Sequence, residues 1–254
     1  MSIAAGLFLL LPAIYVACDS YPSNIIPVLP NTYRVEGVLV KDIIRNTSTI
    51  RLYYQRSDSA VNSAEVTYGL DTLICDDSLY GLAMTPAGLL RFGEDTLQVV
   101  DETLLDFKFV GIVADTFSIE SVVPDRREKL SFETVSLSWT GADSAEGYIM
   151  AAVKKGRAYM EKGYSQYVSS QVTSETFNAQ AFTVDNVPTN EIDPGWYYLF
   201  IYTYTGIPDS ALSSDLLPVP LPGQLGDNID LDELTGRFGT ILAIEFDSMN
   251  VVAE

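Results

Sequence analysis

The stretch Asp193-Pro194-Gly195-Trp196-Tyr197-Tyr198-Leu199-Phe200-Ile201-Tyr202-Thr203-Tyr204 decides how this chain folds. Pro and Gly adjacent to one another mark a turn, since one presets φ and the other tolerates positive φ. The run that follows is aromatic and aliphatic throughout, a composition that suits a buried, pleated strand better than a helix. Side chains alternate between the faces of a strand. The even-numbered aromatics Tyr198, Phe200, Tyr202 and Tyr204 are therefore expected to share the core face. Trp196 joins that face at the loop end, and Tyr197 is expected to point outward.

Working toward the N-terminus, Val135-Ser136-Leu137-Ser138-Trp139-Thr140 alternates and ends on a tryptophan. A short loop, Gly141 to Glu146, leads into Gly147-Tyr148-Ile149-Met150. These two segments resemble the B and C strands of a fibronectin type III domain, and residues 193–204 resemble that family's turn and F strand. The resemblance covers about residues 130–207. It implies that Trp139 is a core residue. It also implies that Tyr198 occupies the tyrosine-corner position, its hydroxyl bonding back to the backbone. Such motifs are shared by many immunoglobulin-like sandwiches and specify fold rather than function.

The rest of the chain keeps a period of two. Thr49–Tyr54, Ala64–Tyr68, Leu97–Val100 and Phe107–Val113 alternate, with turn residues between them at Gly69, Asp76-Asp77-Ser78, Gly81, Pro86-Ala87-Gly88 and Gly93. Short strands at this spacing indicate an antiparallel sandwich or barrel. Alternation stops at Val123-Pro124-Asp125-Arg126-Arg127-Glu128-Lys129, where charges cluster. The expected architecture is all-β, with two tandem β-sandwich-like modules over residues 32–124 and 125–254. The second is fibronectin type III-like and carries extra C-terminal strands over Thr240–Phe246 and Met249–Val252. The opening strand Tyr33–Gly37 and the stretch Gly236-Arg237-Phe238-Gly239 give the chain a weak similarity to uncharacterised two-module envelope lipoproteins of bacteria.

The first residues, MSIAAGLFLLLPAIYVACDS, carry no charged side chain before Asp19. The apolar run is shorter than the about 20 residues a membrane-spanning helix needs, and Pro12 interrupts it. It reads as the hydrophobic region of a signal peptide over residues 1–17. Tyr15-Val16-Ala17-Cys18 resembles the bacterial lipobox, which implies cleavage before Cys18 and lipidation of its sulfur, although Tyr15 replaces the usual aliphatic residue. Residues 18–31 then read as a tether, polar at first and broken by Pro22, Pro27 and Pro30. The expected place is the bacterial cell envelope, periplasmic or surface-exposed, with the membrane reached through the N-terminal lipid.

The full chain of 254 residues holds 15 Lys and Arg against 34 Asp and Glu, a net charge of −19. Such a chain repels nucleic-acid phosphate and anionic lipid headgroups. There is no histidine and there are two cysteines, Cys18 and Cys75. This rules out Ser-His-Asp and Cys-His catalysis and any histidine- or thiolate-caged zinc. Cys75, in the apolar run Thr72-Leu73-Ile74-Cys75, is expected to be a buried unpaired thiol. The acids of Asp227-Asn228-Ile229-Asp230-Leu231-Asp232-Glu233 do not follow the EF-hand spacing and read as a solvated loop. Asp71, Asp76 and Asp77 read as turn aspartates rather than a catalytic pair. No catalytic residue, metal site or cofactor is assigned. Candidate ligand contacts are the aromatics Tyr159, Tyr164, Tyr167 and Trp196, because exposed rings stack on sugars and anchor protein partners. The expected function is a non-enzymatic binding module for an envelope protein or surface glycan, with a carboxylate-based glycan hydrolase as the alternative. If Cys18 is the lipidated residue, metabolic labelling with a fatty-acid analogue in a bacterial host will mark the wild type and leave Cys18→Ser unmarked.

Overall fold

The computed structural model describes residues 33–82, 85–101, 106–125, 128–129, 133–156, 163–231 and 233–253. Cys18, Tyr159, and the signal-peptide and tether segments lie outside these. Residues 31–254 form one compact unit. Its first half runs β1 (Tyr33–Asp42), β2 (Thr47–Arg56), β3 (Ser59–Ala60), β4 (Glu65–Tyr68), β5 (Asp71–Thr72), β6 (Ile74–Asp76), β7 (Leu79–Gly81), β8 (Gly93–Val100) and β9 (Asp106–Val113). The second half adds β10 (Ile119–Val123), β11 (Glu128–Lys129), β12 (Ser136–Trp139), β13 (Gly147–Lys154), β14 (Tyr164–Ser169), β15 (Ser174–Thr176), β16 (Gly195–Gly206), β17 (Ile229–Asp230) and β18 (Leu234–Val251). A single four-residue α-helix, α1 (Ser210–Ser213), is the one α-helix among the described residues. The chain is all-β.

These strands form three sheets. The largest has the order β14-β13-β16-β18-β1-β2-β7-β6. Its central strand, β18, lies antiparallel to β16 on one side and parallel to β1 on the other. The C-terminal residues expected as one or two added strands are thus a single strand of 18 residues. It joins residues 32–124 and 125–254 in one continuous sheet, so strand pairing does not stop at Pro124. Two smaller sheets pack on one face of the large one. The three strands β10-β12-β15 cover β14, β13, β16 and the far end of β18, and the four strands β5-β4-β8-β9 cover β1, β2 and Phe238. Three strands facing the order β14-β13-β16-β18 make the sandwich that the fibronectin type III resemblance implies, with Trp139 on the second strand of the smaller sheet.

Trp139 is 1% exposed and meets Tyr148 edge-on at 5.3 Å between centroids. Its indole N–H finds no acceptor among the described residues, so its contribution is packing. Around it lie Leu137, Met150, Leu199, Ile201, Phe177 and Phe182.

The inward-facing tyrosine of β16 differs from the expected one. In β16 it is Tyr197, not Tyr198, that enters this core: it is 3% exposed and its hydroxyl donates to the Asp193 carbonyl at 2.9 Å. The tyrosine-corner bond thus belongs to Tyr197. The even-numbered aromatics face the other way, and that face is buried too. Residues 207–221 fold across it and cover Phe200 and Tyr202 with Leu212, Leu216, Leu217, Val219 and Leu221. The strand is apolar on both sides because both sides are packed, and under that condition hydrophobicity alone cannot say which face is which.

Each residue of Gly236-Arg237-Phe238-Gly239 meets a different neighbour. A Cβ on Gly236 would sit 1.9 Å from the Val35 carbonyl oxygen, so only glycine lets β1 approach there. A Cβ on Gly239 would lie 2.4 Å from the backbone of Pro208, where the covering segment crosses. Phe238 fills the core under the four-stranded sheet. Arg237 reaches Glu36, and its Nε lies 3.2 Å from Asp209 Oδ2. Asp209 also caps α1, accepting from the Leu212 N–H at 2.9 Å. Arg34 adds ion pairs to Glu36 at 2.9 Å and Asp227 at 3.1 Å. Two arginines and three acids thus tie β1, β18 and the start of the covering segment.

Burial opposes ionisation of Glu36, but hydrogen bonds from Arg237 and Arg34 outweigh it and hold its carboxyl below the ordinary glutamate range. A lowered folded-state value stabilises the fold fully above the unfolded value, and that share is lost as pH falls through the folded value. Acid titration of the melting temperature should therefore be shallower in Glu36→Gln than in wild type below about pH 4. Trp139→Ala should cost about 3–5 kcal/mol, read by denaturant unfolding.

Candidate ligand-binding face

The covering segment 207–221 protects only part of the second face of the large sheet. Toward the Gly195 end of β16 the aromatic row continues past it. Tyr198 is half-buried, and Trp196 is 50% exposed. From the neighbouring strand Phe246 joins them at 45% exposure. Its ring meets Tyr198 edge-on at 5.1 Å and lies 5.7 Å from the buried Phe200. Tyr198 and Phe246 are thus rooted in the core at Phe200, and Trp196 stands two residues further along the same face of β16, open to solvent.

Phe246 reaches this face because of a β-bulge. Phe200 opposes Phe246 while Tyr202 opposes Ala243, so β18 spends one extra residue between them. Strict alternation from Leu242 and Ile244, which face the Trp139 core, would have placed Phe246 on that opposite side. Nothing in the local sequence marks the bulge, and Phe246 was therefore not identified from sequence.

The surroundings of the strip are polar. Ser248 stands opposite Tyr198 and Asn250 opposite Trp196. Beyond Asn250, Glu128 is exposed on β11. On the other flank Lys155 is exposed; its backbone N–H donates to the Trp196 carbonyl at 2.7 Å and its ammonium lies 6.0 Å from the Tyr198 ring centre. The neighbouring Lys154 pairs instead with Asp193. β16 is bonded on both sides, to β13 and β18, so the rings stand on a rigid scaffold.

The other candidate aromatics are not brought together with Trp196. Tyr164 is buried in the Trp139 core and its hydroxyl donates to Gln166 at 2.7 Å. Tyr167 lies on the opposite face, edge-on to Tyr204 at 5.6 Å, its hydroxyl on the Gly223 carbonyl at 2.8 Å. Burial and the neighbouring Tyr204 push the Tyr167 hydroxyl up to about 12. Both side chains have structural partners. Tyr159 lies outside the described residues.

Cys75 is a free thiol, partly rather than fully buried, on the edge strand β6. In the acidic 227–233 stretch, Asp227 is engaged by Arg34, and Asn228 bonds Phe238 through both ends of its amide. Among the described residues no group of three or more metal-ligating side chains converges. A cavity of about 490 Å³ lies beside the β4–β5 turn and is lined by Leu70, Asp71, Leu89, Arg91 and Asp95 among others. A second, of about 140 Å³, lies between β9 and the strands β16 and β18, where Thr205 and Thr240 both donate to the Ile112 carbonyl. No helix among the described residues is long and apolar enough to cross a membrane.

The fold and this face define an all-β sandwich protein with an open aromatic strip on its larger sheet. No protein-family model matches the chain, and no curated protein matches it. Among solved structures it is similar to the FN1-FN3 domains of chicken CNTN1, at 10% identity over 87% of this chain and 68% of that one, with a TM-score of 0.34. It is also similar to DIP-gamma IG1+IG2, at 11% identity over 84% of this chain and 99% of that one, with a TM-score of 0.22. The all-β class stands on the strand pairing itself, and similarity at this level adds nothing to it.

Two substitutions separate the faces of β16. Tyr197→Phe should lower stability by about 1 kcal/mol through loss of the hydrogen bond to Asp193. Trp196→Ala should shift it by no more than about 0.5 kcal/mol, as an exposed site does. Parallel denaturant melts of the two variants read both.

Proposed function

We propose that this chain is a non-enzymatic binding protein of the bacterial cell envelope, anchored by lipid on Cys18, with the strip Trp196, Tyr198 and Phe246 as its contact surface for an envelope glycan or protein. The observation that carries this reading is that the aromatic row is covered by residues 207–221 along half its length and open over the rest. Large rings standing half-exposed on a rigid strand are the commonest anchors of recognition surfaces. An acidic chain of net charge −19 suits a role in which the lipid, and not a basic patch, holds it to the membrane.

The hydrolase alternative gains no support from the acids. Asp71 and Asp95 both line the larger cavity, but Asp95 is committed to the backbone N–H of Thr96 at 2.9 Å. The glutamate beside the strip, Glu128, has Asn250 and not a second acid as its cross-strand neighbour.

Crosslinked capture from the native envelope tests the binding role. Wild type should retain specific material that Trp196→Ala with Phe246→Ala loses, while both proteins melt alike. Equal capture by the two would overturn the assignment of the strip.

A further inference from the structure

On the strength of the binding role above, we propose that the strip takes an uncharged, hydroxyl-rich polysaccharide laid along β16. Three properties of the site select this occupant over others.

The first is size. Aromatic side chains bury about 150–250 Å² each, so three that are only partly exposed offer roughly 300 Å² of contact. A stable protein interface needs about 800 Å² from each partner. The strip is too small to hold a protein or a second copy of this chain by itself, whereas a few stacked sugar rings match it.

The second is spacing. Trp196 and Tyr198 are two residues apart on the same face, which places them about 7 Å apart along the strand. Phe246 stands beside Tyr198 on the adjoining strand, 5.1 Å away. Two rings a two-residue repeat apart on one strand, with Phe246 edge-on to the second, give successive contact points to a ligand that itself repeats, with an apolar face on each unit.

The third is charge. Among the described residues the strip is flanked by Lys155 on one side and Glu128 on the other, with the neutral Ser248 and Asn250 between them. Donors and acceptors of both kinds pair with hydroxyl groups, which both donate and accept. A polyanionic glycan would meet the field of a chain carrying −19 and the Glu128 carboxylate. A strongly basic partner would be drawn to the acidic surface at large and would have no need of the rings.

The tryptophans provide a direct readout. The chain has two, and Trp139 is 1% exposed while Trp196 is 50% exposed. Quenching of the emission by acrylamide therefore reports mainly on Trp196. The experiment uses the full chain, purified in mild detergent after expression in a lipidating bacterial host. Its migration is followed in native gels containing neutral polysaccharides (hydroxyethyl cellulose, xyloglucan, galactomannan) or acidic ones (polygalacturonate, hyaluronate).

At least one neutral polysaccharide should retard the protein and protect Trp196 from quenching. Trp196→Ala and Phe246→Ala should each weaken that retardation about tenfold or more, with melting temperatures unchanged. Lys155→Ala should weaken it less than either. Preferential retardation by the acidic polysaccharides would overturn the choice of ligand while leaving the binding role intact. So would retardation by none of them together with strip-dependent capture of an envelope protein. Retardation that Trp196→Ala and Phe246→Ala leave unchanged would overturn the strip as the site.

Discussion

Everything in this protein hangs on the parallel pairing of its first and last described strands. β1 and β18 align from Tyr33 against Leu234 to Asp42 against Ala243, across nearly the whole length of the chain. Parallel neighbours cannot be joined by a tight turn, so the connection has to carry substantial structure. Here it carries all of it: the two small sheets, the β13–β14 hairpin and the covering segment are insertions between these partners. The pairing also demands unusual local sequence. Gly236 has no side chain because the Val35 carbonyl occupies the place of its Cβ. The ion-pair cluster of Glu36, Arg34, Arg237, Asp209 and Asp227 closes the same seam from the side.

The seam explains the distribution of apolar residues over the large sheet. Because β18 continues past the end of β1, it gives β16 a partner along its whole length, and the sheet beyond Ala243 is free to carry the sandwich around Trp139. On the reverse face the covering segment is fixed near Gly239 and Asp209, and so lies over Phe200 and Tyr202 rather than over Trp196. The open end of the aromatic strip is a consequence of where that segment is tied. Elsewhere on β1, Lys41, pushed by burial below the ordinary lysine value, donates to the Leu90 carbonyl and lies 4.0 Å from the centre of the Phe92 ring.

The alternation of residues in β2, β4, β8, β9, β12 and β16 was legible as strands from sequence, and so was Trp139 as a core residue. Trp196, a candidate contact from sequence, is half exposed where the strand meets its turn. Tyr164 and Tyr167 were indistinguishable from it by composition. They differ in that Gln166 and the Gly223 carbonyl lie within reach of their hydroxyls, and both partners are set by tertiary packing.

The sequence by itself determined that the chain is β throughout, that it is strongly acidic, and that histidine chemistry is absent, because periodicity, charge and composition are local quantities. Only the tertiary structure decided which face of β16 meets the Trp139 core. With apolar residues on both faces, the choice rests on what packs against each, and it gave the tyrosine-corner bond to Tyr197. Only the tertiary structure, likewise, placed Phe246 beside Tyr198: one extra residue in β18 reverses the face of every side chain after it, and a bulge is a property of two paired strands rather than of either one.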